Sequence, residues 1–169
     1  MSTEEIRGWL TGRLPEDWFD GAPEVTVDKE EITVVGALRV PDLPAEASDA
    51  ERAAAARGRV RGFREDTRER RIEIARELEH QSGRKVSWGV SVGEERVLFT
   101  TLSVPVMTRL RQRERAVLDT LVDAGVARSR SDALAWCVRL VGRHADEWLG
   151  ALRDAMAEVE RVRAEGPGA

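Results

Sequence analysis

Few side chains in this sequence are able to carry out covalent or acid–base chemistry. It holds two histidines, His80 and His144, one cysteine, Cys137, and no tyrosine. A nucleophile needs a base within hydrogen-bond reach and a third group to orient that base. The spacing of these three residues calls for no such set. Cys137 falls inside the apolar pattern of a helix, where a thiol packs as a small hydrophobe. The nearest approach to a ligand cluster is His144-Ala-Asp146-Glu147. Neighbours two or three apart on a helix converge poorly on one ion, and no second cluster completes four ligands. Glycines stand alone, with no Gly-x-Gly-x-x-Gly or Gly-Lys-Ser run to cradle a phosphate. The paired acids Glu30/Glu31 and Glu94/Glu95 fall at turns, where solvated charge is ordinary filler. The expectation is a non-enzymatic protein with no metal and no cofactor, which acts by binding.

The chemistry of that binding is written in arginine. The net charge is −4, but it is unevenly spread. Residues 1–56 carry 5 basic and 13 acidic side chains, residues 57–143 carry 19 and 12, and residues 144–169 carry 3 and 6. Only Lys29 and Lys85 are lysines. A GC-rich genome exchanges Lys for Arg throughout a chain, but it does not gather positive charge in the middle. The planar guanidinium fork suits a phosphate better than an ammonium does. One row, Arg57, Arg61, Arg64, Arg68 and Arg71, recurs at steps of four and three and so shares one flank of a helix. It could follow a nucleic-acid backbone. Glu65, Glu69 and Glu73 adjoin the row and offer ordinary surface pairs worth only tenths of a kcal/mol.

A second arginine-rich stretch is more informative. It runs Val106-Met-Thr-Arg-Leu-Arg-Gln-Arg-Glu-Arg115, then Leu118-Asp-Thr-Leu121, Gly125 and Ser129-Arg-Ser-Asp-Ala133. Ser129 with Asp132 three residues on reads as a capping box opening a helix. The free N–H groups of that first turn, beside Arg128 and Arg130, suit a DNA phosphate. In order and spacing the stretch resembles the ribbon-helix-helix family of dimeric DNA-binding proteins, over roughly residues 102–141. The resemblance implies that a short strand pairs antiparallel with its twin from a second copy and lies in the major groove. Val106, Thr108 and Leu110 would then face the core, and Met107, Arg109 and Arg111 the bases. Arg128, Ser129, Arg130 and Ser131 would meet the phosphates. Arginine to guanine is the commonest specific base contact.

The elements that must position these residues read as α+β. Residues 3–20 form an amphipathic helix or two turns interrupted by Pro15. Val25-Thr-Val27 and Ile32-Thr-Val34-Val35 flank Asp28–Glu31 as a hairpin with a four-residue connection. After a loop, a cap at Ser48 or Asp49 opens one long helix from about Ala50 to Ser82, stopped by Gly83. Val86–Val92 and Val97–Val104 make a second hairpin around Gly93-Glu94-Glu95. Helices follow at about Gln112–Ala124, from near Ser129, and at about Ala145–Ala164. Gly166-Pro-Gly-Ala then reads as a frayed tail. The expected domains are residues 1–104 as a hairpin–long helix–hairpin unit, 105–144 as the ribbon-helix-helix-like segment, and 145–165 as a C-terminal helix.

No apolar run approaches the roughly 18 residues of a membrane helix. The start of the chain has no signal-peptide pattern, and a single cysteine fits a reducing compartment. A cytoplasmic, homodimeric regulator bound to double-stranded DNA is therefore expected, with the N-terminal unit supplying dimer contacts, a ligand pocket or a protein partner's site. The alternative is a protein–protein adaptor or structural dimer that uses Trp136 and Trp148, since tryptophan is enriched in interface hot spots. An RNA-binding role finds less support, for eight aromatic residues form no visible stacking platform.

Overall fold

The computed structural model describes residues 1–166. Residues 167–169 of the expected frayed tail lie outside them. The chain divides into two compact units, Met1–Pro105 and a second beginning at Val106. The protein is α+β, as its alternating patterns imply.

The first unit opens with α1 (Thr3–Arg13), whose Ser2 hydroxyl accepts the Glu5 N–H while the Glu5 carboxylate accepts the Ser2 N–H. This capping box satisfies two donors that the first turn cannot use. The helix stops at Arg13, short of residue 20, because Leu14 precedes a proline and takes an extended conformation. Trp18 and Phe19 lie beyond it, and the Trp18 ring meets Phe63 and Trp88 edge-on at 5.6 and 6.2 Å.

Strands β1 (Glu24–Val27) and β2 (Glu31–Ala37) form the first hairpin. Its connection is three residues long because Asp28 closes it tightly. The Asp28 carboxylate accepts the N–H groups of Glu30 and Glu31 at 2.8 and 2.7 Å, as Asx turns do. Helices α2 (Asp49–Asp66) and α3 (Arg68–Ser82) lead to β3 (Lys85–Val92) and β4 (Glu95–Leu98). The sheet order is β1-β2-β3-β4. The two hairpins are joined by a parallel pairing of β2 with β3, with Ile32 opposite Val86 and Val34 opposite Trp88. Helices cover one sheet face, where Ile6, Leu10, Ile32, Val34, Ile74, Leu78 and Val90 are almost fully buried. Gly36 is required by a close approach: a Cβ there would stand 2.0 Å from the Phe19 ring.

Two further expectations are corrected in this unit. The returning strand was to run to Val104, but it ends at Leu98. One more ladder bond follows, from the Phe99 N–H to the Trp88 carbonyl at 2.7 Å. After that the Leu102 N–H turns to the Glu31 carboxylate at 3.2 Å.

The single long helix is two. Thr67 donates its hydroxyl to the Phe63 carbonyl at 2.6 Å and takes φ −96°, ψ 1°, the back-bonding that bends helices. Arg71 holds the break. Its Nε donates to the Thr67 hydroxyl at 2.9 Å and its Nη2 to the Arg64 carbonyl at 2.7 Å. A cation at a helix C-terminus also meets the negative end of the helix dipole. The Arg71 guanidinium lies 4.7 Å from the centre of the Phe99 ring and is 6% exposed. Burial, with Arg64 and Arg68 nearby, lowers its pKa. The five-arginine flank is therefore broken up. Arg71 serves the core, while Arg61 and Arg68 pair with Glu65 and Glu69 at the surface.

The second unit is helical, with α4 (Gln112–Asp123), α5 (Arg130–His144) and α6 (Asp146–Glu165). Among the described residues, no helix is long and apolar enough to cross a membrane.

Candidate nucleic-acid interface

The site is built around the α4–α5 turn. Leu118, Ala127 and Ala133 are buried there, with Leu110, Leu121, Val122, Leu134 and Cys137 packed against them. Gly125, at φ +72°, makes the reversal that β-carbon crowding denies other residues. Its N–H donates to the Val122 carbonyl at 3.0 Å, and the next two N–H groups donate to the Leu121 carbonyl at 3.0 and 3.2 Å. Those bonds use up carbonyls that the end of α4 leaves free.

Ser129 caps α5, accepting the Asp132 N–H at 3.2 Å. The Asp132 carboxylate does not return to Ser129 as the capping-box expectation had it. It accepts the Arg128 N–H, one residue earlier, at 3.0 Å. The N–H groups of Arg130 and Ser131, in the first turn of α5, have no carbonyl behind them within the helix.

Arg130 is not a free cation. Its Nε and Nη2 donate to the two Asp119 carboxylate oxygens at 2.6 and 2.9 Å. Asp119 raises the Arg130 pKa through this hydrogen bonding. In return, Arg130 and then the more distant charge of Arg115 hold the Asp119 carboxyl below its usual range. Sequence reading passed over Asp119, because the eleven-residue separation crosses a turn and follows no helical period. Its place in Leu118-Asp-Thr-Leu121 was the available signal.

The segment before α4 has neither helix nor strand from Phe99 to Arg111. Within one chain Met107 is 96% exposed and Val106 84%, while Leu110 packs against the α4–α5 cluster. Val106 and Thr108 are exposed within one chain and line the same depression as Leu118 and Leu134. Arg115 steadies the entry to α4 through a bond to the Leu110 carbonyl at 3.0 Å. Arg111 is the N-cap of α4, its N–H donated to Glu114. An open depression of about 300 Å³ brings Met107, Arg130 and Ser131 to one rim. Arg109, Arg111, Arg128 and Ser129 lie outside its lining. Among the described residues, Arg109, Arg111 and Arg128 form no ion pair with an acidic side chain.

Comparison with known proteins divides the chain at this same segment. The model of the Rv1265-like protein N-terminal domain matches residues 4–98. The chain belongs to the Rv1265-like family. The Mb1296 C-terminal domain model matches residues 111–163, so it begins at the α4 cap and takes in α4, α5 and most of α6. The uncharacterized proteins Rv1265 of Mycobacterium tuberculosis and Mb1296 of Mycobacterium bovis are each 64% identical over 159 residues, which is 94% of this chain and 69% of theirs. No solved structure matches.

Proposed function

We propose that this chain is a homodimeric, sequence-specific DNA-binding protein of the ribbon-helix-helix kind and acts as a transcriptional regulator. The observation that carries the reading is the state of residues 106–111. Apart from Leu110, which packs on the α4–α5 cluster, they stand exposed, with Arg109 and Arg111 unpaired by any acid among the described residues. Unpaired arginines gain the most from a phosphate, since nothing must be displaced first. Residues 106–143 hold eight arginines against four acids, a local excess that draws in a polyanion.

In this reading Met107, Arg109 and Arg111 face base edges from a ribbon shared by two copies. The Arg128 side chain and the N–H groups of the α5 first turn take a phosphate. Arg130 has a smaller part than its position implied, because it is already committed to Asp119. A cytoplasmic location accords with this role and with the lone thiol of Cys137.

Selection of bound sequences from a random pool of duplex DNA tests the reading. The wild-type chain is expected to enrich one motif, and Arg109→Ala to lose preference at a guanine within it. Equal enrichment by both proteins would move base reading elsewhere. No enrichment from an intact dimer would favour the adaptor alternative.

A further inference from the structure

Helices α5 and α6 abut at Ala145, which closes the first and opens the second. The Ala145 N–H donates to the Val141 carbonyl and the Leu149 N–H to the Ala145 carbonyl, both at 2.8 Å. At Ala145, φ −121° and ψ 20°, the helix breaks, and the N–H groups of residues 146–148 reach no carbonyl of α5. From Leu134 to Val162, counting in alternating steps of four and three, nine successive positions are apolar. That is a heptad repeat sustained over four heptads, the period of a left-handed coiled coil. Leu134 packs in the α4–α5 cluster, but the stripe beyond it is uncovered. Val138 is 65% exposed, Trp148 62% and Val159 51%. A shallow groove of about 220 Å³ follows Leu152, Met156, Val159 and Arg163 along α6.

We infer that residues 148–162 of α6 form one strand of a parallel two-stranded coiled coil with a second copy of this chain. The repeat argues for a helix of the same period as occupant, since only such a helix stays in contact along the whole stripe of α6. The size agrees: the half-exposed stripe offers on the order of 600 Å² per chain, or ~1,200 Å² for the pair, the lower bound of a stable specific interface. The second unit also lacks a core sufficient by itself, since two of its three buried apolar residues are alanines.

Charge fixes the direction. Positions flanking the stripe carry no acid, lysine or arginine from residue 135 to 157. The first charges there are Glu158 and Arg163, five residues apart. In a parallel pair, a residue at the one flank faces the partner residue five further along, so each Glu158 meets the second copy's Arg163. An antiparallel pair sets both against uncharged residues. A parallel coil also brings the two copies of residues 106–111 to the same end, although the inference does not rest on DNA binding.

The test uses the full chain. Leu152→Glu combined with Val159→Glu places like charges in the seam. Sedimentation equilibrium should show the dimer dissociation constant raised ~100-fold or more. A constant within about threefold of wild type would overturn the inference, and a dimer held by the ribbon alone would behave so. Because a monomer could also arise from misfolding, a second variant keeps the seam intact. Val162→Cys in a Cys137→Ser background should form an interchain disulfide under mild oxidation, since identical seam positions meet only in a parallel pair near the helix end. A persistent dimer without that crosslink overturns the parallel arrangement. A crosslinked dimer that ignores DNA leaves the coil standing and removes the nucleic-acid reading.

Discussion

Arg130 and Asp119 clamp the α4–α5 turn through a two-pronged ion pair at 2.6 and 2.9 Å. The same contact that joins the two helices would, in the proposed DNA-binding reading, hold one arginine away from a phosphate. Geometry and affinity are thereby opposed at a single carboxylate.

Asp119→Asn separates the two effects. Freed of its partner and with one less negative charge beside it, Arg130 is expected to tighten duplex DNA binding about threefold or more at low salt, read by fluorescence anisotropy. The pH dependence follows from the lowered Asp119 pKa. A depressed carboxyl stabilises the fold above its ordinary value of about 3.9, and that contribution disappears as the pH falls through the lower folded-state value. Melting temperatures of wild type and variant should differ near neutrality and converge in acid. A constant difference would assign the effect to packing.

Ser129→Ala removes the α5 cap. The Asp132 N–H loses its acceptor, at a cost of about 1 kcal/mol by denaturant unfolding of the second unit. DNA binding should weaken with it, because the first turn of α5 then frays. Retained stability would mean that the long 3.2 Å bond contributes nothing.

Arg71→Ala empties a buried position and leaves the Arg64 carbonyl at the α2–α3 break without its donor. Loss of about 2–3 kcal/mol is expected, seen in chemical denaturation. Arg71→Lys should recover only part, since an ammonium cannot reproduce the fork that reaches Thr67 and Arg64 together.

Gly36→Ala drives a methyl group into the Phe19 ring, 2.0 Å from where its Cβ would stand. Overpacking of this kind costs about 1–3 kcal/mol. Near-ultraviolet circular dichroism should change as well, because displacing Phe19 disturbs the Trp18 contact at 6.1 Å. Unchanged spectra and melting would show that the ring gives way freely.

Local signals in the sequence were dependable where a local cause set the structure. Ser48, Gly83 and Gly125 end or open helices because a hydroxyl or a missing β-carbon acts within a few residues. Both hairpins were legible from alternation and turn residues. Their parallel union through β2 and β3 was not, since no local pattern records which strand lies beside which. The Thr67 break escaped because threonine fits a helical period, and only its bond to Phe63 and the support of Arg71 bend the chain. Within the candidate site, the Ser129 cap was readable. The Asp119 clamp and the diversion of Asp132 to Arg128 depend on how two helices meet. The proposed pairing of residues 106–110 with a second copy would be a property of two chains, so a single chain displays only the unpaired segment.

The most direct test of the central claim is a titration of random-sequence duplex DNA with the full chain at two salt concentrations. Phosphate contacts release counterions, and contacts from two copies should give a log–log slope of about −4 or steeper. Absence of binding at about 50 mM salt, or a slope near zero, would contradict the account.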